Sequence, residues 1–152
     1  MKFKILAEYL LDLEKTSSRI EITKILAALL KKTTVDEIDK VTYLILGYLA
    51  PSYMGIVFNL AERTMIGVLA KAYGVEKNKV RELYKKVGDI GNAASELALN
   101  LKLKTKDLKL SVADVYEKLL DIARDEGEKS VERKIQAMAK CLRFCSCQHK
   151  KT

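Results

Sequence analysis

Leu13-Glu14-Lys15-Thr16-Ser17-Ser18-Arg19 lies between two apolar runs, and its reading decides the fold. Upstream, Phe3, Leu6, Ala7, Leu10, Leu11 and Leu13 give a wide apolar face at helical spacing over residues 2–14. Downstream, Ile22, Ile25, Leu26, Leu29 and Leu30 do the same and end at Lys31-Lys32, cations that suit a helix C-terminus. The stretch between them therefore predicts a tight turn joining two helices. Thr16, Ser17 and Ser18 are residue types that cap a helix start, because a short side-chain oxygen accepts from an orphan backbone N–H. Ser18 and Glu21 have the S-x-x-E spacing of a capping box. Lys15 and Arg19 flank the turn. Hydroxyls and cations beside the free N–H groups of a helix start make a place for a phosphate. The plainer alternative is an ordinary cap beside two solvated cations.

Working outward, Thr34 and Glu37 repeat the capping-box spacing and predict a third helix through Ile38, Val41, Leu44 and Ile45, closing near Gly47. Pro51 marks a connector, since it cannot continue a helix and restricts the residue before it. Asn59 is placed to cap a helix running to Tyr73, with Gly74 just past its end. A further helix spans residues 75–87, and Asp89 caps another over 92–100. Residues 101–110 alternate Leu and Lys. That is a strand period, but in a chain of helices a basic helix–helix link is the preferred reading. Ser111 with Asp114 opens a helix through Val115, Leu119 and Ile122. A polar turn around Gly127 follows, and Ser130 caps the last helix. The prediction is an all-α, compact, multi-helix domain of about eight helices over 1–144, followed by a Cys/His/Lys tail over 145–152.

The totals agree. The chain has 152 residues, a one-domain length, and 49% of them are apolar, which suits a packed core. No apolar run approaches the roughly 20 residues of a membrane span. Glu8 and Asp12 interrupt the first apolar stretch, which argues against a signal peptide and for a cytoplasmic protein. The net charge is +8, and most of it lies in the second half: residues 77–152 hold eighteen Lys/Arg against eleven Asp/Glu. A basic excess of this kind fits an acidic partner, nucleic acid first.

Cys141, Cys145, Cys147 and His149 crowd the C-terminus. Four such ligands suffice for zinc, but C-x3-C-x-C-x-H is not a standard zinc spacing, and an incidental tail is the preferred reading over a metal site. There is no phosphate loop and no G-x-G-x-x-G. With a single histidine near the end of the chain, no Ser/His/Asp set is available. Enzyme chemistry within this chain has little support, and no catalytic residue is assigned. What remains is a set of basic or hydroxyl residues at predicted helix starts and turns: Lys15, Thr16, Ser17, Ser18 and Arg19; Asn59 and Arg63; and Gly127, Lys129, Ser130, Arg133 and Lys134. Several such corners on one face would hold a duplex by its phosphates without reading bases.

In order along the chain, several stretches carry a family resemblance. They are Phe3-x-x-Leu6-Ala7-x-Tyr9 with Leu13 to Arg19, Tyr43-Leu44-Ile45-Leu46-Gly47 with Pro51 and Gly55, and Leu83 to Gly91 with Ala93-Ala94. Leu110-Ser111-Val112-x-Asp114-Val115-Tyr116 and Ile122-Ala123 to Gly127-x-x-Ser130 with Lys134-Ile135 complete the set. It resembles the N-terminal DNA-binding domain of archaeal ATP-dependent DNA ligases, over about residues 1–143. The resemblance implies an all-helical domain that binds duplex DNA around a nick, in replication, repair and recombination. It also implies ATP and Mg for the parent ligase, with no cofactor in this chain. By position, Arg19 matches a phosphate-contacting turn, and Gly127, Ser130 and Lys134 match a turn expected to face DNA. Asn59-Leu60-Ala61-Glu62-Arg63 stands where the family has Gly-x-Gly-Glu-Lys, and Lys-x-Asp-Gly is absent. The family domain continues for roughly another third, so the chain reads as a fragment or shortened product. Apolar surface left uncovered would then favour self-association, which is the alternative role: a protein-interaction module.

Overall fold

The structure, a computed structural model, describes residues 1–58, 60–101 and 110–145, with the backbone alone at 144 and 145. Eight α-helices run along the described residues: α1 Phe3–Glu14, α2 Arg19–Lys32, α3 Ile38–Leu46, α4 Glu62–Tyr73, α5 Lys77–Val87, α6 Ile90–Asn100, α7 Val112–Arg124 and α8 Ser130–Cys145. A 3-10 turn, Ser52–Met54, follows Pro51. The all-α expectation holds: among the described residues the only extended pairing is a single antiparallel bridge between Lys2 and Ser111. Most of the Leu/Lys alternation expected to link two helices, residues 102–109, lies outside the described residues, as does the tail beyond 145. No described helix is long and apolar enough to cross a membrane.

The chain forms two compact units. One holds α1, α2, α3, the 3-10 turn and α7 as far as Leu120; the other holds α4, α5, α6, the end of α7 from Asp121, and α8. In the first unit Leu6, Leu29, Val41 and Val112 are fully buried together, with Phe3, Tyr9, Leu10, Leu44 and Ile45 packed round them. Each such side chain contributes about 1.5–3 kcal/mol by leaving water. The start of α7 is tied to the start of α1 by backbone: Phe3 N–H donates to Leu110 O at 2.9 Å and Val112 N–H to Met1 O at 3.0 Å. Ser111 and Asp114 close a reciprocal cap on α7. The Ser111 N–H and hydroxyl donate to Asp114 Oδ2 at 2.9 and 2.7 Å, and the Asp114 N–H donates to Ser111 Oγ at 3.1 Å. These bonds, the hydroxyl's first, hold the Asp114 carboxyl below its ordinary pKa. The Tyr116 hydroxyl donates to the Leu49 carbonyl in the interior.

The expected Thr34/Glu37 cap does not form. Glu37 lies just before α3, and its carboxylate pairs with the terminal ammonium of Met1. In a half-buried position a full charge outcompetes a neutral N–H for the same oxygen.

In the second unit α4 is the central rod. Ile66, Val68, Leu69, Ala70, Ala72 and Tyr73 are all buried, so the helix is covered on several sides, and it packs against α8, α5 and α6. Gly74 ends α4 in the left-handed region, φ 66°, where a side chain would be strained, and its N–H returns to Ala70 O. Arg143 of α8 caps the same end by donating to the carbonyls of Ala72 and Lys71. Asp89 caps α6 as expected, accepting from Asn92 N–H at 2.8 Å.

Candidate nucleic-acid interface

The first candidate corner belongs to the first unit. α1 stops at Glu14 and α2 starts at Arg19, so residues 15–18 make the turn as read from sequence. Thr16 Oγ1 accepts from Ser18 N–H at 3.2 Å, an internal bond that shapes the bend. The Ser18/Glu21 capping box does not close: Ser18 sits at the cap position with no side-chain cap bond, and Glu21 pairs with Lys24 at 2.8 Å instead. The opening amides of α2 are thus claimed by no capping side chain. Lys15 pairs with Asp12 at 2.9 Å on the surface. Ser17, Ser18 and Arg19 are exposed, and among the described residues no carboxylate holds the Arg19 guanidinium.

The second corner belongs to the second unit. Asn59 lies outside the described residues, and α4 starts later than expected, at Glu62, with Ala61 in the cap position. Arg63 is exposed and lines a cleft of about 300 Å³ with Glu62, Ile66, Arg81, Tyr84 and Lys85. The neighbouring Glu62 carboxylate raises the pKa of the Tyr84 phenol by favouring its neutral, donating form. The sequence reading missed Arg81 and Lys85. Their signal was a four-residue repeat of cations, Lys77, Arg81 and Lys85, along one side of α5.

The third corner joins α7 to α8 and departs from expectation. Gly127 has φ 93° and Lys129 φ 59°, two left-handed residues that reverse the chain; for Lys129 this is a strained conformation. Ser130 is the first residue of α8 and half-buried, with its N–H bonded to Gly127 O at 3.2 Å. Arg133 and Lys134, expected to reach for DNA, are engaged internally. Arg133 Nε and Nη2 grip the Asp125 carboxylate, and its Nη1 and Nη2 also donate to the carbonyls of Glu128 and Glu126 at 2.8 and 3.2 Å. That guanidinium holds the Asp125 carboxyl below its ordinary pKa, and the carboxylate raises that of Arg133 in turn. Lys134 is buried, and its ammonium donates to Ala123 O at 3.2 Å, capping the end of α7. Of the cations read in this corner, Lys129 is the one that stands exposed without a partner among the described residues.

Cys141 is buried on α8 and Cys145 closes the helix, while Cys147 and His149 lie outside the described residues. Among the described residues no group of three His, Cys, Asp or Glu side chains is placed to hold a metal.

The sequence has counterparts among known proteins. The chain is 38% identical over 143 residues to a probable DNA ligase of Aquifex aeolicus, covering 94% of this chain and 24% of that protein. It is 36% identical to a DNA ligase of Nitrosopumilus maritimus, covering 96% of this chain and 25% of the relative. It is 38% identical to one of Sulfolobus acidocaldarius, with 94% and 25% covered. The chain therefore spans about a quarter of the length of the relatives it matches. A family model described as DNA ligase N terminus matches residues 2–151, and the chain belongs to that family.

Proposed function

We propose that the chain binds duplex DNA without reading its sequence, as the non-catalytic DNA-holding part of a DNA ligase, and that it favours nicked duplexes met in replication, repair and recombination. The observation that carries this is the Thr16–Arg19 corner, where exposed hydroxyls, uncapped amides of α2 and a guanidinium held by no carboxylate coincide. Arg63 and Lys129, in no ion pair among the described residues, add cations from the other unit. Lys-x-Asp-Gly is absent from the sequence, so the ATP and Mg chemistry of a ligase is assigned to parts outside this chain. Titration of nicked and intact duplexes by fluorescence anisotropy between about 50 and 200 mM salt tests the reading. Affinity should fall by about 0.9 log units per phosphate contact for each tenfold rise in salt. Salt-independent binding, or none at the lowest salt, would overturn it.

A second reading, a protein-interaction or self-association module, is favoured by one observation. Leu46, Tyr48, Tyr53, Met54 and Val57 are all exposed within a short stretch of the first unit, Tyr53 to 87%. Light scattering separates the two: a monomer with tight duplex binding favours the first reading, and a dimer without it the second.

A further inference from the structure

Arg63, Arg81 and Lys85 line one cleft and make no ion pair among the described residues. Arg63 comes from the first turn of α4, and Arg81 and Lys85 from adjacent turns of α5. The cleft also holds one carboxylate, Glu62, so its lining side chains carry three positive charges against one negative, an excess that an anion would offset. Glu62 lies beside Tyr84, whose phenol pKa it raises, and it makes no ion pair with the three cations among the described residues. Among the described residues Arg81 makes one long contact, to Asn78 Oδ1 at 3.4 Å, and no ion pair. The cleft is at the lower limit of ligand pockets, which span roughly 300–1,000 Å³. Four of its six lining side chains are charged, against Ile66 and the Tyr84 ring, so it suits a small tetrahedral anion better than an apolar ligand. Two guanidinium forks and an ammonium match the oxygens of a phosphate.

We propose that Arg63, Arg81 and Lys85 form a phosphate seat on the α4–α5 pair that takes a backbone phosphate of DNA. The identification of the phosphate as DNA rests on the function proposed above; the seat itself rests on the cleft.

The test compares the unaltered chain with Arg81→Gln/Lys85→Gln. A control, Lys79→Gln/Lys86→Gln, removes the same charge from α5 outside the cleft. In duplex anisotropy the cleft variant should bind about tenfold more weakly to every sequence, with a salt slope shallower by about 0.9 to 1.8. The control should change far less, and circular dichroism should give all three the same helix content. Equal losses in cleft variant and control, or no loss in either while the unaltered chain binds DNA, overturn the seat and leave the proposed function standing. A second measurement does not need the duplex: arginine side-chain NMR of the unaltered chain titrated with inorganic pyrophosphate. Shifts at Arg63 and Arg81 support the seat even where duplex binding fails, an outcome that overturns only the proposed function. Absence of those shifts counts against the seat whatever the duplex does.

Discussion

Arg133 holds Asp125 from eight residues away, with Nη2 at 2.6 Å from Oδ1 and Nε at 3.0 Å from Oδ2. The fork clamps the two ends of the loop that carries Gly127, Lys129 and Ser130. The same guanidinium takes the carbonyls of Glu126 and Glu128, so one side chain organises the whole corner. A strained, left-handed Lys129 persists because the surrounding bonds over-determine it. The Arg133 clamp holds the backbone on either side of Gly127, from which the exposed Lys129 side chain departs.

The clamp makes stability depend on pH in a definite direction. The Asp125 carboxyl titrates below its ordinary value of 3.8 because Arg133 favours its charged form. A carboxyl whose pKa is lower in the folded state stabilises the fold above the unfolded value. It loses that contribution as pH falls through the folded value. Asp125→Asn should therefore melt at a lower temperature than the unaltered chain at neutral pH. The gap should hold down to about pH 5 and close below the ordinary value of 3.8. Thermal melts followed by circular dichroism across that range check it, and a gap that stays constant into strong acid would show that the carboxylate's charge is not involved.

Lys134 and Lys129 should behave in opposite ways. Lys134 is buried with its ammonium on Ala123 O, whereas Lys129 is exposed. Lys134→Met keeps the aliphatic stem and removes the charged donor. It should cost about 1.5–3 kcal/mol of stability, the worth of a hydrogen bond to a charged group, and leave duplex affinity within about twofold. Lys129→Gln should leave stability nearly unchanged and weaken duplex binding several-fold. Paired melts and anisotropy titrations decide between them; a reversal of the two patterns would mean that Lys134 reaches DNA.

Much of the architecture was legible because helical period and caps are local. The pairs Ser111/Asp114 and Ser18/Glu21 show where local reading stops. Both have an acid three residues after a serine, yet only the first closes. Ser111 sits beside fully buried Val112, on backbone tied to Met1 and Phe3, so its partner is held in place. Ser18 is exposed, water competes for its hydroxyl, and Glu21 has Lys24 within reach. The same limit applies to the cations. In sequence Arg133 and Lys134 look no different from Lys129. What separates them is Asp125 and Ala123, brought within reach by the turn that joins α7 to α8. The company of Arg63 was hidden for the same reason, since Arg81 and Lys85 reach it only through the packing of α4 on α5.

The core of the first unit gives a stability prediction independent of any ligand. Leu6 has no exposed surface and packs with Leu29, Val41 and Val112, so Leu6→Ala removes atoms that its neighbours cannot fully replace. The expected loss is about 2–5 kcal/mol. Leu11, on the same helix but exposed, should tolerate alanine to within about 0.5 kcal/mol. Urea unfolding at constant m-value measures both. Equal costs at the two positions would mean that α1 does not bury the face assigned to it.

Arg19 provides the sharpest test of the DNA-holding role. Its guanidinium is exposed, no carboxylate holds it among the described residues, and it opens a helix whose first amides no side chain caps. Arg19→Ala should therefore leave the melting temperature unchanged, because no ion pair is broken. Duplex binding should weaken for every sequence alike, since a bond to phosphate carries no base information. The slope of log affinity against log salt should become shallower by about 0.9, as expected when one fewer phosphate is neutralised. Arg19→Lys should recover part of the affinity: the charge returns, but the fork that meets two phosphate oxygens does not. A loss confined to particular sequences would mean that Arg19 reads bases. An unchanged slope would remove this corner from the interface and leave binding to the second unit alone.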